Sequence, residues 1–340
     1  MSEELFIEYL ASVTPEIDAH LHQNLDRVPK GSALDRYLYG ILDEFIMRGG
    51  KRMRPAMAML ACEATGGGRS QALASGCAIE VFHAAALIHD DIMDGSLLRR
   101  GQDCAHILHG EPLAINAGDY ALGLVCTIVL RDKELDDKTK LDVLEVISEM
   151  SERTVEGQAL DVGWVRDGIF DLTPDDYMLM ALGKTGYYSG IAPLKVGAII
   201  GEATEEEIVA LAGFGKNCSI AFQIQDDLLN LVGDVGIMGK DYLSDILESK
   251  RTLMVIHCLS EAEPSDRKRL IQLLELGNEK SPEQTDEVLE LLKRYGSLEH
   301  ARATATVLIN EGRAYLDAVR PSGARDILAA MAGYFLERQY

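Results

Sequence analysis

The sequence predicts an all-α fold, a single helical bundle around a central cavity. Three observations carry that prediction. Apolar residues recur at spacings of three and four along most of the chain, and no stretch alternates with period two over a useful length. Helix stops and starts punctuate those runs. Two acidic clusters, Asp90-Asp91-Ile92-Met93-Asp94 and Asp226-Asp227-Leu228-Leu229-Asn230, lie in segments too apolar for an exposed face. Helical bundles commonly build metal sites from carboxylates that facing helices project inward.

In order, Tyr37, Leu38, Ile41, Leu42, Phe45 and Ile46 form one apolar stripe that begins at Leu34 and that Gly49-Gly50 ends. Pro55 opens the next helix, and Gly66-Gly67-Gly68 terminates it. A long helix then runs through Phe82 into Asp94. Pro112 starts another through Leu130, and a further one covers Lys138 to Gln158 with Leu141, Leu144, Ile147 and Met150 inward. Thr173-Pro174-Asp175-Asp176 is a helix start, with a hydroxyl cap, proline in the first turn and acid near the positive end. Thr204-Glu205-Glu206-Glu207 repeats that logic and launches the helix carrying Asp226; Ser281-Pro282-Glu283-Gln284 is a third start. Gly233 to Thr252 is the least regular internal stretch and is expected to be a mobile loop. No linker or repeat divides the chain, so residues 1–340 are expected to form one domain.

With 33 basic against 55 acidic side chains the net charge is −22, which argues against a nucleic-acid partner. Any phosphate ligand must be met by local cations or a bound metal. The six cysteines are scattered, mostly among apolar neighbours and without a CxxC pair, as expected for reduced thiols of a cytoplasmic protein. Met1-Ser2-Glu3-Glu4 lacks a signal peptide's basic start, and no apolar run reaches the roughly 18–20 residues of a membrane span.

Asp90 and Asp94, four apart, stack on one helix face, with Asp91 turned partly aside. Stacked carboxylates suit a hard cation such as magnesium; taken alone, such a run reads equally as a solvated acidic helix end. The apolar Ala84-Ala85-Ala86-Leu87-Ile88 and the second cluster favour one metal site between two helices. Gly49-Gly50-Lys51-Arg52-Met53-Arg54-Pro55 packs three cations into a glycine-flanked turn, and Arg99-Arg100-Gly101 is a second cationic spot. Both suit phosphate oxygens, although a basic turn after a helix also complements the helix dipole. Gly183-Lys184-Thr185-Gly186 resembles part of a P-loop, but Met178 stands where that loop needs glycine. Gly239-Lys240-Asp241 fails likewise, for want of Ser or Thr. Carboxylates for magnesium, cations for diphosphate and an apolar interior for hydrocarbon together suit ionisation of an allylic diphosphate.

From about Phe45 to Thr252 the chain resembles the trans-isoprenyl diphosphate synthases, the farnesyl, geranylgeranyl and longer-chain polyprenyl diphosphate synthases. GGKRMRP, HAAALIHDDIMDGSLLRRG, AINAGDY, GKT, FQIQDDLLNLVGD and GKDYLSDILESKRTL occur in that family's order. The resemblance implies the isoprenoid synthase fold, a homodimer, and magnesium, three ions per site. It implies that Asp90 and Asp94 bind magnesium at the allylic diphosphate with Asp91 in support, and that Asp226 ligates a further ion with Asp227 nearby. Arg99, Lys184, Lys240 and Lys250 would contact an allylic diphosphate (dimethylallyl, geranyl or farnesyl). Lys51, Arg54, His83 and Arg100 would hold isopentenyl diphosphate; without the resemblance His83 reads as a core histidine. Thr185 and Gln223 would line the site beside the carbocation. In such enzymes diphosphate leaves, the alkene attacks, and a proton passes to the released diphosphate.

One departure is Asn230, where the family usually has aspartate; its neutral carbonyl is a weaker magnesium ligand, and activity is expected to survive. Asp226, Asn230 and Asp234 also resemble the second metal motif of class I terpene cyclases, which lack the isopentenyl site that Lys51, Arg54 and His83 match. A catalytically weak partner subunit is the remaining alternative. In the family, bulky residues below the first acidic cluster set product length. Ala86 and Ala85 stand four and five positions before Asp90, where farnesyl-type enzymes carry an aromatic, and Phe82 is the first aromatic on that side. The expected product is geranylgeranyl diphosphate, with a twenty-five-carbon or longer chain second.

Overall fold

The computed structural model describes residues 3–232 and 243–337. The chain begins with α1 (Glu4–Leu25), α2 (Gly40–Met47), α3 (Met53–Ala64) and α4 (Leu73–Met93). A small antiparallel hairpin, β1 (Leu98–Arg99) and β2 (Gln102–Asp103), turns at Arg100-Gly101 and leads into α5 (Ala105–His109), α6 (Glu111–Arg131) and α7 (Asp137–Arg166). Next come α8 (Pro174–Ala181), a π-helix (Leu182–Ile191), α9 (Ala192–Ile200) and α10 (Glu205–Val232). The described chain ends with α11 (Ser244–Leu247), α12 (Leu253–Glu261), α13 (Pro264–Leu274), α14 (Pro282–Arg294), α15 (Ser297–Tyr315) and α16 (Gly323–Glu337). The all-α class is as predicted.

The helix starts also form as predicted. The Thr173 and Ser281 side chains accept from the backbone N–H groups of Asp176 and Gln284 in capping boxes, and Glu207 reaches back to the Thr204 N–H at 3.0 Å. Two boundaries and one facing differ from the sequence pattern. The helix expected to open at Pro55 begins two residues earlier, after Arg52, whose φ of 49° is left-handed. The helix expected to stop at Gln158 runs on to Arg166, because Gly157 does not end it. A Cβ on Gly157 would lie 2.0 Å from the Lys184 nitrogen, so this glycine lets α7 and the π-helix touch backbone to backbone. Leu141, which the pattern turns inward, is 66% exposed. Within the stretch expected to be a mobile loop, residues from Leu243 onward are ordered around α11; residues 233–242, with Lys240 and Asp234, lie outside the described residues.

One continuous apolar core runs from Phe6 to Phe335. Its centre is α3, which packs between α4 and α9, while α10 lies along α9, the π-helix and α15. Helices α4 and α10 make no extensive contact with each other, and a cavity of about 590 Å³ takes wall residues from both. By length and composition alone the helical stretch Arg69–Met93 and α6 would pass for membrane spans. The first is largely packed inside the fold and carries Glu80, Asp90 and Asp91; the second is about half buried.

Candidate active site

Twelve of the residues singled out by the sequence line this cavity: Lys51, Arg54, His83, Asp90, Arg99, Arg100, Lys184, Thr185, Gln223, Asp226, Asp227 and Lys250. They divide into two lobes.

The first lobe is cationic and surrounds the junction of α2 and α3. Gly50 (φ 145°) turns the chain there, and a Cβ on it would stand 3.1 Å from the Arg100 guanidinium, so the glycine makes room for that side chain. Arg100, itself left-handed at the hairpin turn, donates to the Gly49 carbonyl. Arg52 is buried and pairs with Asp18 (2.7 Å) and Glu80 (3.3 Å). Arg54 donates to Ser189 Oγ at 2.7 Å and lies over the Tyr188 ring at 4.8 Å. His83 stacks on the same ring at 5.5 Å. Burial, followed by Arg54, Arg100, Arg99 and Arg52, holds His83 well below the usual histidine range, so it is neutral at pH 7. Lys51 donates to Tyr334 Oη at 2.7 Å, which ties this lobe to α16.

The second lobe alternates acids and bases. Asp90 accepts from Gln158 (3.0 Å) and Lys184 (3.1 Å), and Lys184 also reaches Asp161 at 2.6 Å. Lys250 bridges Asp94 and Glu248 at 2.7 Å each. Asp91 turns away from the cavity: it is fully buried and accepts from Arg99 Nε at 2.8 Å. Its role is to hold Arg99 in the wall. Behind Asp226, Tyr177 donates to Asp227 at 2.8 Å and Gln223 to the same carboxylate at 2.7 Å, while Thr185 donates to Gln223 Oε1 at 2.6 Å. This chain of bonds fixes which end of the Gln223 amide faces Thr185. Asn230 donates to Ser244 Oγ (2.9 Å) and accepts from the Asp245 N–H (3.1 Å), so its amide fastens α11 to α10.

The charge balance of this lobe suits a divalent cation. Burial pushes Asp90 up, yet Lys184, Lys250 and Arg99 outweigh it and hold the carboxyl below its usual range. Elsewhere the excess acid shows. Burial and then Asp90 raise Asp94; burial and then Asp245 push Asp227 up to about 8; burial, opposed by Lys250, leaves Glu248 at about 7. Among the described residues no three His, Cys, Asp or Glu side chains form a metal cage by themselves. Magnesium takes one or two carboxylates and completes its shell with water and substrate phosphates. Asp90, Asp94 and Asp226 are the residues that would hold it.

Some site residues were not evident from the sequence. Asp161 lies beyond the helix end expected at Gln158, and its position as a lone carboxylate inside Ala159-Leu160-Asp161-Val162 is the available signal; Gln158 stands at that expected end with no signal of its own. Tyr177 and Glu80 carry no motif, and Arg251 lies in the last of the quoted motifs without being singled out there. Of the product-length residues, Phe82, Ala85 and Ala86 all lie off the cavity wall, which takes His83 and Leu87 from that part of α4. At about 100° per residue, Ala86 is turned about 40° from Asp90, Phe82 about 80° and Ala85 about 140°. Ala85 is fully buried in the packing between helices.

Comparison with known proteins agrees with this geometry. Residues 35–292 match the family model described as polyprenyl synthetase. The short chain isoprenyl diphosphate synthase of Methanothermobacter thermautotrophicus is 37% identical over 340 residues, covering 100% of this chain and 96% of that one. The geranylgeranyl pyrophosphate synthetase of Pyrococcus horikoshii superposes with a TM-score of 0.88 at 35% identity, covering 99% of each chain. A geranylgeranyl pyrophosphate synthase from Corynebacterium glutamicum, solved with isoprenyl diphosphate and magnesium, gives 0.86 at 29% identity, covering 95% of this chain and 98% of that one. Proteins of this family use a divalent metal at the diphosphate substrate. The chain belongs to the polyprenyl synthetase family and is a prenyltransferase.

Proposed function

We propose that this enzyme condenses isopentenyl diphosphate with an allylic diphosphate and that its main product is geranylgeranyl diphosphate. The observation that carries the reading is one cavity with two chemically different ends, one gathering cations and one alternating acids with bases. Lys51, Arg54, His83 and Arg100 would hold isopentenyl diphosphate in the cationic lobe. Arg99, Lys184 and Lys250, with Lys240 from outside the described residues, would hold the allylic diphosphate beside Asp90, Asp94 and Asp226. Magnesium, three ions in our reading, supplies the positive charge that makes diphosphate a good leaving group.

The chain's own groups then act as follows. Lys184 and Lys250 neutralise the departing oxygens. The Thr185 and Gln223 dipoles sit beside the developing cation and stabilise it without capturing it. Leu87, Met180, Tyr188 and Phe222 exclude water from it. Burial and the surrounding arginines make His83, the one histidine among the described residues that line the cavity, a poor proton acceptor, so the released diphosphate takes the proton.

We read residues 1–340 as one domain of a cytoplasmic homodimer. Ile115, Leu122 and Leu130 on α6, and Leu141, Val155 and Val162 on α7, are exposed at spacings of seven, eight and fourteen, the stripe a second copy would cover. Incubating the purified chain with radiolabelled isopentenyl diphosphate and each allylic primer tests the product. Mainly twenty-carbon diphosphate is expected, and mainly farnesyl diphosphate would overturn the assignment. Ala86 lies off the cavity wall but is turned only about 40° from Asp90, so the larger ring of Ala86→Phe is expected to reach the tail and shift the product toward fifteen carbons; an unchanged distribution would mean that the tail does not pass Ala86.

A further inference from the structure

A second lysine holds from behind the turn that carries Lys250 into the cavity. Ser249 is buried and left-handed (φ 59°), a conformation that a non-glycine residue keeps only when its surroundings enforce it. Lys280 lies just before α14 and reaches across to this turn. Its Nζ donates to Ser249 Oγ (2.6 Å), the Gly277 carbonyl (2.8 Å) and the Leu247 carbonyl (3.2 Å). Ser249 Oγ passes the contact on to the Leu274 carbonyl at 2.7 Å. On the other flank Arg251 donates to the Ile169 and Ser249 carbonyls and lies over the Phe170 ring at 4.3 Å. The turn is clasped on both sides, and Lys250 projects from it to Asp94.

We propose that Lys280 is a positioning residue for Lys250: its three hydrogen bonds fix the turn at Ser249 and so set the grip on the allylic diphosphate. This rests on the reading that Lys250 contacts that diphosphate. The geometry uses all three protons of the ammonium, and a neutral amine has only two to offer and no charge to strengthen them. Lys280 is 6% exposed and its three acceptors are neutral oxygens. Arg251 is the charged group facing it. Glu248 and Lys250 pair with each other on the cavity side, and Glu275, Glu279 and Glu283 on its own stretch are exposed. Burial and then Arg251 bring Lys280 down from 10.5 to about 8.

Two consequences have opposite sign. As pH rises through about 8 the amine loses its proton, the clasp weakens, and kcat/KM for the allylic substrate falls. Folding gains over the same range, because a lysine whose folded pKa is depressed destabilises the protein below that value and ceases to do so between it and the unfolded pKa.

The test is steady-state kinetics from pH 6.5 to 9.5 on wild type, Lys280→Met, Lys280→Arg and Ser249→Ala, with KM measured separately for each substrate. Lys280→Met is expected to raise the allylic KM about five- to tenfold and leave the isopentenyl KM within about twofold. It should also abolish the fall near pH 8, which Lys280→Arg moves to higher pH. Ser249→Ala should show the same substrate selectivity at smaller size. The proposal is overturned if both KM values move together, if neither moves, or if the fall stays at the same pH in Lys280→Met. Lys250→Ala separates the premise from the inference, since an unchanged allylic KM in that variant removes Lys250 from the diphosphate site.

Discussion

In the proposed reading the two lobes of the cavity meet the same chemical group, a diphosphate, in opposite ways. Around Gly49-Gly50, Lys51, Arg54 and Arg100 gather positive charge beside a neutral His83, with Glu80 as the main internal anion. Between α4 and α10 both described lysines, Lys184 and Lys250, already have a carboxylate partner, and several carboxylates remain hard to ionise. The first lobe can take a diphosphate as it stands. The second needs additional positive charge before an anion is welcome, which accounts for a phosphate site inside a chain of net charge −22. Direct cation binding suits a substrate that keeps its diphosphate, whereas metal binding suits the one that must release it.

Breaking the acidic lobe should have the largest effect. Asp90→Asn or Asp94→Asn is expected to lower kcat by at least about a hundredfold while isopentenyl diphosphate still binds, as read by single-turnover kinetics and calorimetry. A smaller loss in isopentenyl affinity than in rate is what separates the lobes; equal losses would merge them.

Next is the seam between them. Asp91→Ala leaves Arg99 buried without its partner, a loss of about 3–5 kcal/mol in unfolding free energy by denaturant titration. A change under 1 kcal/mol, well inside the range of exposed pairs, would mean that Asp91 does not hold Arg99 in place.

Tyr177→Phe removes one donor from Asp227 and loosens the Gln223 amide. About tenfold lower kcat, with the isopentenyl KM unchanged, is expected. An unaltered kcat would reduce the Tyr177–Asp227–Gln223–Thr185 chain to packing.

The smallest effect is thermal. Asp94, Asp227 and Glu248 have folded pKa values above their unfolded ones, so without metal they cost stability progressively as pH rises from about 4.5 to about 8. A divalent cation competes with those protons. Magnesium should therefore raise the melting temperature more at pH 8 than at pH 6, and the reverse order would contradict the charge balance described for this lobe.

The fold class and most of the site were legible in the sequence for a physical reason. Helical periodicity, capping residues such as Thr173 and Ser281, and carboxylates stranded in apolar runs are local signals. What escaped was whatever depends on tertiary packing. Gly157 reads as a weak point in a helix, yet it lets two backbones touch and brings Asp161 to Lys184. Asn230 reads as a degraded metal ligand, yet its amide secures α11. Ala85 shares a helix with Asp90 but not a face, as its spacing already implies, and the packing of α4 against its neighbours buries it completely. Lys280 sits in no motif and acts through a turn about thirty residues away in sequence.

Calorimetric titration of each diphosphate, with magnesium and with chelator, tests the two-lobe account most directly. A non-ionisable allylic diphosphate analogue should bind only with metal present, and isopentenyl diphosphate should bind in both conditions with affinities within a few-fold of each other. Allylic binding that survives chelation would contradict the account.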